Sequence, residues 1–408
     1  MFGEKGLKNT LSFRFLRWII PLLTLSFLLF GVTGFFVTRD SLVRFSRQSS
    51  NLLTDQTKVA LVNWLQDQIY LAQTIAADPK IVNAALNPTD EQARAEAHSY
   101  LQQLHDRYKY YENMPIAIRL PPGRTYSFNV NGEPRVIKNG TFFLDTVQGR
   151  TLGKCGPDFS YIKSVFEGAP YYISEVYPSI LRGNPLFVVA APVKHDGQVI
   201  GVSVLGVRMD YFTDLFIDPA KIGETGYLMM FDETGKVIAN PEKKLILNAT
   251  ESKKIGNITE RILQGADPSF FESYEGVENL YVASRLGKNS FTAGPILMRH
   301  DWYIVSVQPV SEIVKTSRTQ AYLFLVFSVL LSAIVAVVLY RHTQRTIARP
   351  ILDLTRAAAA VSMGEELDTP LTSTSQDEVG ELTKSIDRLR QSMRAALKRL
   401  SSKADDHH

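Results

Sequence analysis

Two uncharged apolar stretches constrain this chain more than any other feature. Residues 18–37 and 321–340 each run 20 positions without a Lys, Arg, Asp or Glu. At 1.5 Å per residue, 20 helical residues cover about 30 Å, the hydrocarbon thickness of a bilayer. A buried core helix rarely runs that far uncharged, so the second stretch reads as a membrane span. The first has one competitor, a cleaved signal peptide. Its run exceeds the usual apolar region of such a peptide, and no small-x-small site precedes Arg39, which favours an uncleaved anchor.

Two spans, at 18–38 and 321–340, place segments 1–17 and 341–408 on one side and residues 39–320 on the other. Lys5, Lys8, Arg14 and Arg17 precede the first span, and Arg341, Arg345 and Arg349 follow the second. Arg39, Arg44, Arg47, Lys315 and Arg318 oppose them, so the positive-inside rule leans towards cytoplasmic termini. The formal charge of +4 divides into +3 for residues 1–17 and +1 for 341–408. Acidic and basic residues cancel in between, which leaves no field to steer a nucleic acid. The one cysteine, Cys155, excludes an intramolecular disulfide framework.

Residues 341–400 carry a sharp pattern. Ile351, Leu354, Ala358 and Val361 fall at helical spacing after Pro350, and Gly364 stands where a helix C-terminus wants glycine. Leu367 and Leu371 lie in a polar connector with Pro370 and the run from Thr372 to Ser375. After Asp377-Glu378, the residues Val379, Leu382, Ile386, Leu389, Met393, Ala396 and Leu400 alternate spacings of three and four, a heptad seam, with Gly380 beside its first position. Two such helices need partners, either each other in an antiparallel hairpin or a second chain in a parallel four-helix bundle. Pro350, Gly364, Leu367, Leu371, Glu378 and Gly380 together resemble a HAMP domain, which implies an all-α relay in a homodimer. Only residues 401–408 remain beyond it, so the sequence leads us to expect that output chemistry resides in a separate cytoplasmic protein. The terminal Asp405-Asp406-His407-His408 reads as a solvated end.

Residues 39–320 begin with a helical stretch to about residue 104, a stalk that Asp78-Pro79 should break. Strand-like segments follow at 187–192 and 199–207 around a Lys194-His195-Asp196-Gly197 turn, then at 227–231 and 236–239 around Glu233-Thr234-Gly235. Further strands are expected at 280–286, 291–298 and 302–309. The region therefore reads as two α+β units, about 80–217 and 218–312.

One set of short motifs spans both units. It comprises Ser160-Tyr161-Ile162-Lys163, Ile173-Ser174, Ala191-Pro192-Val193, Asp196-Gly197-x-x-Ile200-Gly201-Val202, Gly223-Glu224-Thr225-Gly226-Tyr227 and Asp232-x-x-Gly235-x-Val237-Ile238-Ala239-Asn240-Pro241. The set resembles the double Cache domain, the extracytoplasmic sensor of bacterial chemoreceptors, kinases and cyclases. That resemblance implies a stalk helix carrying two PAS-like modules, with a small ligand in the membrane-distal one. In amino-acid-binding members an arginine stands two residues before an aromatic, and an aspartate lies on the last distal strand. Phe159 and Arg208 stand at those positions here, so the resemblance points away from α-amino acids. A small anionic, carboxylate-like ligand is expected instead, on Arg208 with Arg182 or Lys154, and with Tyr161, Tyr172 and Tyr177 as walls. The competing reading puts Arg208 on an edge strand and the tyrosines in the core.

No nucleophile elbow, phosphate loop or metalloprotease motif occurs in the sequence. His98 and His105 are too far apart along a helix to share a metal ion and read as surface residues. No enzyme activity and no cofactor are expected. The chain reads as a two-pass sensory receptor of a bacterial inner membrane with a periplasmic or extracellular sensor. Two alternatives stay open: the input half of a kinase, cyclase, phosphatase or chemoreceptor whose output domain is encoded elsewhere, and a binding protein without a signalling role.

Overall fold

The computed structural model describes residues 11–130, 133–147, 151–265, 268–287, 300–372 and 377–405. The expected strand at 291–298, Lys5 and Lys8, connector residues 373–375 and terminal residues 406–408 lie outside the described residues. Contacts divide the chain into two compact units, residues 40–316 and residues 1–39 with 317–408.

The larger unit is built on a helix. α1 (Leu11–Ala77) buries Leu61, Leu65, Ile69, Ala72 and Ile75, whose helical spacing keeps one face inward. It stops before Pro79, whose ring disfavours helical geometry at Asp78. Asp78 turns extended, and its carboxylate accepts from the Lys80 amide at 2.9 Å to cap α2 (Pro79–Leu86). Asp90 caps α3 (Glu91–Arg107) in the same way. His98 and His105 are not free surface residues. Their rings lie 3.0 Å from the Asp145 carbonyl and 3.1 Å from the Tyr111 carbonyl, so both tie α3 to the strands that follow.

The first module contains β1 (Tyr111–Asn113), β2 (Ile116–Ile118), β3 (Tyr126–Val130), β4 (Glu133–Ile137), β5 (Phe142–Leu144), α4 (Ser160–Phe166), β6 (Tyr172–Ile173), β7 (Tyr177–Pro178), β8 (Pro185–His195) and β9 (Gln198–Arg208). Its main sheet runs β5-β2-β9-β8-β6, with β1 also on β9 and β7 on β8, while β3 and β4 form a separate hairpin. Asp196 and Gly197 join β8 to β9 with φ of 47° and 78°, the two positive values a two-residue type I′ turn requires. Strand β8 reads as a nearly continuous apolar run because both faces are covered. Phe187, Val189 and Ala191 pack into the cluster built on α1, and Leu186, Val188 and Ala190 pack against Tyr161, Ile162 and Val165 of α4.

α5 (Met209–Phe216) leads to the second module. It comprises β10 (Tyr227–Asp232), β11 (Val237–Ala239), α6 (Ala249–Lys254), α7 (Gly256–Leu263), β12 (Ser269–Tyr274), β13 (Val277–Leu286), β14 (Trp302–Pro309) and α8 (Val310–Ile313). Its antiparallel sheet runs β11-β10-β14-β13-β12. The β10–β11 turn is held by Asp232, whose Oδ1 accepts from the Thr234 and Lys236 amides at 2.8 and 3.1 Å. Trp302 joins the modules. It is fully buried, with its ring 5.2 Å from Phe187 and 6.1 Å from Phe212. The fold is thus α+β, two sheet modules carried on a long helix.

The smaller unit is helical. It holds the first part of α1, α9 (Lys315–Thr343), a π-helical segment (Gln344–Ala348), α10 (Arg349–Ser362) and α11 (Glu378–Asp405). Leu25, Leu29, Leu323, Phe327 and Ile334 are at least 60% exposed, so most of their apolar surface is uncovered in the single chain. Two of the helices are long and apolar enough to cross a membrane. They pack closely: a Cβ added to Gly31 would lie 2.7 Å from the Phe324 ring, and the Phe30 and Phe324 rings are 5.8 Å apart. The π segment ends where Pro350 enters α10. Proline lacks an N–H and crowds the carbonyl four residues back, so the widened turn has a local cause.

Candidate ligand-binding site

A small cavity lies in the first module between the sheet face and α4. It measures about 40 Å³, room for a few waters, and is lined by Phe142, Leu186, Val188 and Val204 from the sheet. Tyr161 and Tyr177 also line it, and their phenols hydrogen bond to each other. Burial raises both well above an ordinary phenol, so they stay protonated. Tyr161 stacks on Phe159 at 5.5 Å, and Phe159 in turn lies 6.4 Å from Phe142.

The charged group of the cavity is Glu112 of β1. Its side chain is fully buried, and among the described residues neither carboxylate oxygen accepts a hydrogen bond. The nearest opposite charge is Arg182 Nε, 4.0 Å away on a side chain that is 58% exposed. Glu112 reaches the cavity because β1 carries a bulge there. Tyr111 pairs with Val207 and Asn113 with Gly206, so Glu112 is the extra residue. Gly206 makes this pairing possible: a Cβ there would stand 2.7 Å from Asn113 Oδ1.

Behind Glu112, Asn113 donates from Nδ2 to Asp145 at 3.0 Å. Burial pushes the Asp145 carboxyl up to about 6, against hydrogen bonds from Asn113 and Val147 that pull it down. Tyr111, on the other side, donates its hydroxyl to Gln68 of α1. The bulge is therefore hydrogen bonded at one flank to the stalk helix.

The residues expected to form the site divide. Tyr161, Tyr177 and Arg182 come together around Glu112. Tyr172 packs in the core below α4 and does not line the cavity. Arg208 does not join them either. It ends β9 as the residue before α5, bonds Asp210 through Nε at 3.1 Å and Nη2, and lies 4.6 Å over the Tyr211 ring. Lys154 is exposed and also outside the lining. Glu112 was missed because a bulge, which periodicity does not reveal, turns it inward.

Residues 38–317 match the Cache domain family, and residues 343–395 match the HAMP domain. The chain belongs to the Cache domain family. Methyl-accepting chemotaxis protein PscA of Pseudomonas syringae pv. tomato is 24% identical over 243 residues, 57% of this chain and 35% of PscA. PctB of Pseudomonas aeruginosa is 23% identical over 240 residues, 58% of this chain and 36% of its own. The chain thus spans about a third of the length of these curated relatives. Among solved structures, the ligand-binding domain of Pseudomonas fluorescens chemoreceptor CtaA with L-isoleucine has a TM-score of 0.46 at 15% identity, covering 69% of this chain and 99% of that one.

In the HAMP domain of this Cache protein, several of the motif residues have local structural roles. Gly364 has φ of 81°, and the amides of Gly364 and Glu365 bond back to Val361 and Ala360 to close α10. Asp377 caps α11, accepting from Val379 at 3.0 Å and from Gly380 at 3.2 Å, while Glu378 is the first helical residue and exposed. The connector is fixed at two points that sequence reasoning missed. Arg390 donates to the Leu367 carbonyl, and Asp387 Oδ1 accepts from the Leu371 amide at 3.0 Å and from Arg390 Nε at 2.8 Å. Arg390 and then the Leu371 amide hold the Asp387 carboxyl below its usual value. Leu354 and Val361 are buried, whereas Leu382 and Leu389 of the heptad seam are 46% and 56% exposed in the single chain.

Proposed function

We propose that this chain is a two-pass sensory receptor of a bacterial inner membrane, with domains at 18–38, 39–320, 321–340 and 341–400. Its Cache modules take a small ligand outside the membrane, and HAMP passes the change to a cytoplasmic partner. The observation that carries the ligand reading is Glu112, a buried carboxylate that accepts no hydrogen bond among the described residues. Such a group is costly unless donors arrive to satisfy it. An ammonium supplies those donors. Arg182 at the rim suits a carboxylate, so a small zwitterion fits the pair better than a simple anion. Chemotaxis is the sensory behaviour we assign, because PscA and PctB are methyl-accepting chemotaxis proteins. A ligand on Glu112 would draw on β1, whose Tyr111 bonds Gln68 of the stalk helix, and so shift the population of helix positions.

The exposed seam at Leu382 and Leu389 supports a parallel homodimer, in which a second α11 covers it. The greater length of the relatives supports a second reading, in which this chain is the input half of a longer or split signalling protein. Reading the gene beyond the codon for His408 separates the two. The ligand assignment is tested by calorimetry on the full chain in nanodiscs with L-amino acids and with malonate. Binding of an amino acid that Glu112→Gln weakens about tenfold or more is expected. Affinity unchanged in Glu112→Gln, or binding of malonate alone, sinks the assignment.

A further inference from the structure

In the second module, a cleft of about 800 Å³ opens between the sheet and α6, against about 40 Å³ in the distal cavity. The side chains of Tyr227, Tyr274 and Tyr281 form its walls. Glu251 of α6 reaches in with a side chain 10% exposed and accepts the hydroxyl of Tyr274. Acidic lining residues outnumber basic ones: Asp218, Glu224, Glu242, Glu251 and Glu275 face Lys221, Lys244 and Lys254. Lys244 is engaged by Glu242, and Lys254 lies 2.7 Å from Glu275 and 3.7 Å from Glu251, so an incoming cation would compete with Lys254 for the Glu251 carboxylate. Among the described residues, Asp218 Oδ1 is buried and accepts no hydrogen bond. The Tyr227 phenol is raised by burial and then by Glu251, Glu242 and Glu275, so the potential at that wall is negative.

We propose that this cleft is a second ligand site, one that takes a small organic cation of the ammonium class between Glu251 and the rings of Tyr227 and Tyr281. A carboxylate supplies the charge attraction, and aromatic faces supply the quadrupole that ammonium groups favour. The site is also wired to the end of the module. Thr225, on the cleft rim, donates its amide and hydroxyl to Glu312 of α8 at 3.0 and 2.6 Å, and the Glu224 amide donates to the same carboxylate. Gly223 permits this approach: its φ is 65°, and a Cβ there would overlap Glu312 Oε1 at 1.9 Å. Only Val314 separates α8 from α9 along the chain. Closure of the rim on a cation therefore acts on α8.

The test uses the full chain in nanodiscs, with choline, putrescine and tetramethylammonium as probes and malonate as the anionic counterpart. At least one ammonium probe is expected to raise the unfolding midpoint at about 10 mM. Glu251→Gln keeps an acceptor for Tyr274 and is expected to weaken that binding about tenfold or more. Tyr227→Leu, which removes one ring face, serves as an independent arm and is expected to weaken it too. Glu112→Gln in the distal cavity is expected to leave it unchanged. No response to any of the three probes overturns the proposal. So does binding of malonate in their place, or loss of binding in Glu112→Gln but not in Glu251→Gln.

Discussion

At Glu112 a carboxylate leaves water without gaining a hydrogen bond from any described residue, which costs stability. Glu112→Gln removes the charge and keeps the shape, so it is expected to raise folding stability by about 1–2 kcal/mol while weakening ligand. Denaturant unfolding beside calorimetry checks both. A loss of stability of about 1 kcal/mol or more would make the residue structural. Asp145 gives a separate test. Its folded value of about 6 lies above its ordinary 3.8, so the folded chain holds more protons between those limits. Stability should therefore fall as pH rises from 4 to 6, by about 2–3 kcal/mol in all. Asp145→Asn is expected to flatten that dependence, and an unchanged profile would locate it elsewhere. At this scale Tyr161 stands in a local motif, Ser160 to Lys163, whereas Tyr177 stands in none, and both line the distal cavity. Arg208 misled because the charge it meets, Asp210, is two residues away along the chain and competes for the same guanidinium.

Elements divide by how locally they are specified. The stalk break at Asp78-Pro79, the Asp196-Gly197 turn and the Gly364 stop were legible because each depends on a few adjacent residues. Strand β12 was not foreseen. Its sequence alternates weakly, and pairing with β13 over six positions fixes it. The Asp387–Arg390 clamp on the connector was equally invisible, since it depends on where α11 meets residues some twenty positions earlier. Two substitutions test the elements. Trp302→Ala opens a cavity where the modules meet and is expected to cost about 3–5 kcal/mol in denaturant unfolding. Asp377→Ala removes the cap of α11 and is expected to cost about 1 kcal/mol of local helix stability, read by hydrogen exchange at Val379 and Gly380. A Trp302→Ala chain as stable as the parent would mean that the rings do not hold the modules together.

For the whole molecule, the proposal joins three pieces: a ligand pocket on a long helix, two apolar helices, and a HAMP domain with an uncovered seam. The apolar helices were legible from length and charge alone. The dimer they feed is the claim on which signalling depends. Cysteines placed singly at Leu382 and Leu389, in a Cys155→Ser background, report it in native membranes. Oxidative cross-linking is read without and with a mixture of the twenty L-amino acids. Disulfide-linked dimers are expected at both seam positions, with a change in their relative yields when ligand is added. No cross-linking at either position, or yields that stay the same under saturating amino acids, would contradict that claim.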